Sequence, residues 1–228
     1  WQDELWLVAG GIFGGSLYFF TENTALGITQ ASNVSFIICT APLLTTILSL
    51  LFYKSEKASK GLIYGSLLAL MGVGLIVFNG SFVLKISPIG DLLTLLAALS
   101  WAFYSLIIKK MAGRYPTIFI TRKIFFYGVL TILPAFLLHP LHPDTVVLLQ
   151  PAVLFNLLFL AVLASLICYV LWNVVLKQLG TVRASNYIYL NPLVTMIASF
   201  LILDEKITLV ALGGAACIVC GVYWAEKK

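Results

Sequence analysis

The apolar stretches of this chain contain few ionisable side chains, so the polar residues within them are the ones that could do chemistry. Glu22 stands late in an apolar run that begins at Leu5. A carboxylate there can bind a proton or a cationic solute if it faces a cavity, or it can be a helix-end charge at a membrane interface. Trp101, Tyr104 and Ser105 are spaced so that they share one helix face, and so are Ser165, Tyr169, Trp172 and Asn173. Gly11, Gly14, Gly15, Tyr18 and Glu22 form a third such face. Asn33 and the pair Asn186-Tyr187 stand near the starts of two further apolar runs. Aromatic walls with a few amide groups suit an amphipathic or aromatic small molecule. The same residues can also serve as an interfacial aromatic belt, or as hydrogen bonds between helices. The candidate cavity residues are Tyr18, Glu22, Asn33, Trp101, Tyr104, Tyr169, Asn173, Asn186 and Tyr187.

Other chemistries find no support. The two histidines, His139 and His142, alternate with Pro140 and Pro143 in a loop. No paired-carboxylate or Asp-rich cluster accompanies them, so no catalytic residue is assigned and no enzyme is expected. The phosphate-binding P-loop pattern is absent. Cys217 and Cys220 have metal-ligand spacing but no second ligand pair, and all four cysteines lie in apolar runs. No metal and no cofactor is expected. A channel would more often carry rings of charge or a filter loop.

The elements that position these residues follow from composition. The 228 residues are 61% hydrophobic and 10% charged, against roughly 25% charged in soluble domains. The expected fold class is an all-α polytopic membrane protein. Eight apolar segments approach the roughly 20 residues that a membrane helix needs. They cover 5–20, 34–53, 61–78, 92–108, 118–138, 153–175, 184–203 and 207–225. Basic residues alternate between the connections. Lys54, Lys57, Lys60, Lys109, Lys110, Arg114, Arg122, Lys123, Lys177, Arg183, Lys227 and Lys228 belong to one side, and only Lys85 and Lys206 to the other. The basic side is expected to be cytoplasmic, with the C-terminus on it. The net charge of +5 is thus a topology signal, and no nucleic-acid partner is implied.

The chain also repeats itself. Asn23, Leu26, Pro42, Glu56-Lys57, Gly65 and Gly72 recur in order as Asn173, Leu176, Pro192, Glu205-Lys206, Gly214 and Gly221. The first copy spans three segments and the second the last three of five. On the charge-derived topology the copies are inverted, a signature of secondary transporters. The expected organisation is residues 1–80 as the last three helices of a first repeat and 88–228 as a complete five-helix repeat. Two helices preceding Trp1 would complete ten. Pro42 and Pro192 fall at matched positions inside segments, where proline interrupts a helix. They are the candidate kinks or hinges. Gly10/Gly14, Gly11/Gly15, Gly65/Gly72 and Gly214/Gly221 are spaced for close helix packing.

This series resembles the EamA family of the drug/metabolite transporter superfamily. The resemblance rests on Tyr18 to Leu26, Ala31-Ser32-Asn33, Ala41-Pro42-Leu43, Glu56 and the Gly65–Gly72 helix in one half. In the other half it rests on Trp172-Asn173, Asn191-Pro192-Leu193, Leu203 to Lys206 and the Gly214–Gly221 helix. Lys54-Ser55 before Glu56 departs from the apolar residue and glycine more usual there. The resemblance implies ten helices in two inverted repeats around a central cavity, with both termini cytoplasmic in the plasma (bacterial inner) membrane. It also implies export or exchange of small metabolites, often amino acids or related compounds, by a secondary carrier. The expected partners are a small-molecule substrate and the lipid bilayer, with protons as a candidate coupling ion.

Overall fold

A computed structural model describes residues 1–53, 59–78, 87–138, 145–203 and 207–227. Lys54, Ser55, Glu56, Lys57, Lys85, His139, Pro140, His142, Pro143, Asp204, Glu205, Lys206 and Lys228 lie outside the described residues. The described residues are helical, with no strand among them.

Eight long helices follow one another: α1 (2–28), α2 (Ala31–Phe52), α3 (Lys60–Phe78), α4 (Pro88–Ala112), α5 (Thr117–Leu138), α6 (Pro151–Leu179), α7 (181–203) and α8 (Leu209–Glu226). Seven of them, α2 to α8, are long and apolar enough to cross a membrane. α1 is unbroken but is not among the seven. It runs well past the apolar segment because its polar residues bond back to their own helix. Thr21 donates to the Leu17 carbonyl at 2.8 Å, Asn23 to Phe19 at 2.7 Å and Thr24 to Phe20 at 2.6 Å. Such back-bonding satisfies a side chain without water or a neighbouring helix. A short helical turn, Thr145–Leu148, precedes α6.

Several helices are wound irregularly. α1 and α6 pass through wide π-type stretches at Ile12–Ser16 and Phe159–Ile167. Such stretches rotate one half of a helix relative to the other. α2 breaks at the Cys39–Thr40 turn, and Pro42 is the second residue after it. α7 passes through a tight 3₁₀ stretch, Tyr187–Leu190, and Pro192 is again the second residue beyond it. Between α6 and α7 the chain reverses at Gly180, whose φ of +82° favours glycine.

α4 is central, touching α1, α2, α5, α6 and the start of α7. One buried core joins α1, α4, α5 and α6 through Leu7, Tyr104, Ile107, Ile108, Met111, Ile120, Ile124, Tyr169 and Leu176. A second joins α2, α3, α7 and α8 through Cys39, Ala69, Val73, Tyr189, Ile218 and Val222. In the second core α3 and α8 lie backbone to backbone. A methyl group on Gly65 or Gly72 would run into the backbone of Gly221 or Gly214, so only glycine fits. Gly11 and Gly15 likewise meet Gly128 of α5. α6 is peripheral: only 6% of its apolar window is buried within the chain, which leaves a face of Leu, Val and Phe suited to lipid.

Candidate functional site

The first core encloses a cluster of aromatic rings centred on Trp101. Its neighbours are Tyr18 at 5.2 Å, Tyr104 at 5.2 Å, Tyr169 at 5.7 Å and Trp172 at 5.8 Å between ring centroids. The rings come from three helices, α1, α4 and α6. Phe125 of α5 abuts Tyr169 at 5.2 Å. These separations lie in the favourable range for tilted and edge-to-face pairs. Tyr104 and Tyr169 are buried and form the floor. Tyr18, Glu22, Trp101 and Trp172 keep part of their surface uncovered.

Hydrogen bonds fix the floor. The Tyr104 hydroxyl donates to Asn173 Oδ1 at 2.7 Å, and Asn173 Nδ2 donates to Thr121 Oγ1 at 2.9 Å. Thr121 in turn donates to the Thr117 carbonyl at 2.9 Å. Three helices are thereby tied by one buried chain of donors. Tyr169 donates to the Gly14 carbonyl at 2.8 Å. Gly14 is required here: a methyl group at that position would overlap the Tyr104 ring. The π-type stretch turns Gly14 toward α4 while Gly11 and Gly15 turn toward α5, so the single glycine face read from spacing is split between two neighbours.

Two features of the cluster are chemically open. The indole nitrogens of Trp101 and Trp172 are both buried, and neither has a hydrogen-bond partner among the described residues. The Glu22 carboxylate accepts from the Tyr18 hydroxyl at 3.0 Å, which orients it beside the cluster. The site thus offers two free N–H donors, several π faces and one held carboxylate. Two clefts flank the floor. One of about 190 Å³ is lined by Gly14, Phe19, Phe125 and Tyr169, among others. Another of about 470 Å³ opens between α5 and α6 at Thr121, Arg122, Phe125 and Ser165.

The structure brings Tyr18, Glu22, Trp101, Tyr104, Tyr169 and Asn173 into this one region. The other three candidates stand on α2 and α7. Asn33 is buried in α2. Asn186 accepts from Ser66 of α3 at 3.4 Å, and Tyr187 is 40% exposed. Thr121 and the Gly14 carbonyl are site groups that spacing along the chain does not reveal. Asp91 accepts from the Ser87 amide at 3.2 Å and from Thr29 at 3.4 Å, and so reaches back to the N-cap of α4 and pins that helix to the end of α1. Among the described residues no group of three His, Cys, Asp or Glu could hold a metal.

At the opposite end of α1, Asp3 pairs with Arg114 and accepts from Tyr115, while Glu4 pairs with Lys123 and also accepts from Tyr127. The bonds from Lys123 and Tyr127 hold the Glu4 carboxyl below the usual range. The bond to Asp3 pushes the Tyr115 phenol up.

Comparison with known proteins converges on one class. An uncharacterized transporter of Archaeoglobus fulgidus is 30% identical over 230 residues, covering all of this chain and 78% of that protein. A probable amino-acid metabolite efflux pump of Salmonella typhimurium is 29% identical over 182 residues, covering 75% of this chain and 60% of that protein. A crystal structure superposes with a TM-score of 0.80 at 20% identity, covering 97% of this chain and 75% of that one, which is a likeness of fold. The sequence model of the EamA-like transporter family matches residues 1–78 and 88–225. Matched over nearly its whole length, this multi-pass membrane chain belongs to the EamA-like transporter family.

Proposed function

We propose that the protein is a secondary carrier that exports or exchanges amino acids, or related amphipathic metabolites, by alternating access. The observation that carries this reading is the pair of unpartnered indole donors beside a held carboxylate, inside an aromatic cluster. A substrate carboxylate can accept from Trp101 and Trp172. A substrate ammonium can lie against Glu22 and the π faces of Tyr18 and Trp101. An apolar side chain fits the remaining aromatic wall. Two relatives named as probable amino-acid metabolite efflux pumps support this choice of substrate class.

The carrier reading also rests on the repeat. We assign residues 1–80 and 88–228 to two inverted units, with Pro42 and Pro192 at matched hinges. The C-terminus is assigned to the cytoplasm and the protein to the plasma membrane. Protons are the proposed coupling ion, with Glu22 as the group that takes one up in exchange for the substrate ammonium. The work is non-enzymatic: no bond in the substrate is made or broken.

Binding is tested by tryptophan fluorescence of the purified protein titrated with amino acids of graded side-chain size. A saturable change with apolar or aromatic amino acids is expected, and it should vanish in Trp101→Phe/Trp172→Phe. The same saturable change surviving in that double variant, read from the other three tryptophans, would place binding elsewhere. In proteoliposomes, efflux insensitive to a pH gradient in both wild type and Glu22→Gln would remove protons from the scheme.

A further inference from the structure

The two repeats contain the same residues at equivalent positions in very different environments. Pro42, Leu43, Thr45, Ile47 and Ser49 of α2 recur as Pro192, Leu193, Thr195, Ile197 and Ser199 of α7, and Ser35 recurs as Ser185. Thr45 and Ser185 are fully buried. Their equivalents, Thr195 and Ser35, are exposed. The packing shows the same asymmetry. The second half of α2 (Ala41–Phe52) packs closely along the first half of α7 (Thr181–Asn186). The equivalent contact, between the second half of α7 (Asn191–Leu203) and the first half of α2 (Ala31–Ile38), is at most marginal.

The closed seam is built unlike a permanent interface. Thr45 and Ser49 share a face of α2, Thr181 and Ser185 share a face of α7, and Asn186 adjoins them. All five are fully buried. Ser185 donates to the Thr181 carbonyl at 2.8 Å. Thr45 Oγ1, Thr181 Oγ1 and Asn186 Nδ2 have no hydrogen-bond partner among the described residues. Buried polar groups are nearly always paired, so three left unpartnered on two packed helix segments are groups adapted to a second, wetter environment. By contrast, the glycine-mediated contact of α3 with α8 is backbone to backbone.

We propose that the α2–α7 seam at Thr45, Thr181 and Asn186 is a gate, closed in this structure. When it parts, these groups take water as partners, and Ser35 and Thr195 come together in the equivalent seam at the opposite end. The gate lies at the end of the bundle bearing Lys177 and Arg183, the end assigned above to the cytoplasm. The inference rests on the alternating-access reading and identifies the parts that alternate. Polar side chains at the seam let it wet when open, and the absence of partners when closed keeps the two states close in free energy.

The test uses the full chain with Cys39, Cys168, Cys217 and Cys220 replaced by alanine. Ser35→Cys and Thr195→Cys are introduced with Thr181→Cys, and the first two are joined by oxidation. Labelling of residue 181 by a water-soluble maleimide is then timed before and after oxidation. Joining the open end should speed labelling by about ten-fold or more, because it converts a minor state into the dominant one. An unchanged rate, or failure of the pair to join in folded protein, overturns the gate. A second variant, Thr45→Val/Thr181→Val, keeps the packing and removes the hydroxyls. It should slow labelling at Asn186→Cys several-fold, and an unaltered rate counts against the proposal. Labelling needs no substrate, so the two readings fail separately. Unchanged labelling alongside active efflux sinks the gate alone. Gated labelling without efflux of any metabolite sinks the transport reading alone.

Discussion

Asn173 is the keystone of the aromatic floor, and its removal should cost more than removal of the tyrosine hydroxyl it holds. It accepts from Tyr104 at 2.7 Å and donates to Thr121 at 2.9 Å, and all three residues are buried. Asn173→Ala leaves the Tyr104 hydroxyl without an acceptor in a closed site, at about 1–3 kcal/mol for a stranded polar group. The truncation adds a small cavity worth about 1 kcal/mol. Thr121 keeps its bond to the Thr117 carbonyl and contributes little. The expected loss is therefore about 2–4 kcal/mol for Asn173→Ala. Tyr104→Phe keeps the ring packing but leaves the buried Asn173 Oδ1 without its donor, at about 1–3 kcal/mol, so it is spared only the cavity. In the double variant no hydroxyl is left stranded, so the combined loss should fall short of the sum by about 1 kcal/mol. Unfolding titrations of the four proteins in detergent micelles measure all of these terms. Strict additivity, or a larger loss for Tyr104→Phe than for Asn173→Ala, would show that Asn173 does not hold the Tyr104 hydroxyl.

Further outcomes follow from other contacts. Gly14→Ala forces the Tyr104 ring out of place and should cost about 1–3 kcal/mol, with the near-ultraviolet circular dichroism of the aromatic cluster altered; an unchanged spectrum and melting temperature would contradict the close contact. The Glu4 carboxyl is held below its usual range by Lys123 and Tyr127. Its stabilising effect is therefore fully present above the unfolded-state value of about 4.3 and is lost as the pH falls through the lowered folded-state value. Glu4→Gln should thus melt lower than wild type at pH 7 and converge with it in stronger acid, and a gap that widens in acid would reverse the assignment. Reporter fusions after Lys60 and Gln150 should fall on opposite sides of the membrane. The same side for both would overturn the charge-based topology.

Much of the plan is visible in the sequence because membrane helices announce themselves by length and apolarity. The glycine pairs of α3 and α8 are equally plain, since backbone-to-backbone contact leaves room for nothing larger. The faces bearing Trp101 with Tyr104, and Tyr169 with Asn173, follow from helical spacing. What spacing omits is the partner on another helix. Thr121 reads as an ordinary helix residue until Asn173 donates to it, and Gly14 reads as packing until its carbonyl receives Tyr169. The π-type stretches are hidden too, because they change register without changing composition. The far end of α1 is missed for a related reason: Thr21, Asn23 and Thr24 look like a helix terminus but bond back into the helix.

Transport through the Trp101 cluster is tested most directly by efflux of a labelled amino-acid panel from proteoliposomes containing the purified chain. Saturable efflux of apolar or aromatic amino acids is expected from wild type and its loss in Trp101→Ala, with that variant still folded by its melting curve. Efflux of the same amino acids at undiminished rate by folded Trp101→Ala, or none by wild type for any amino acid, would contradict it.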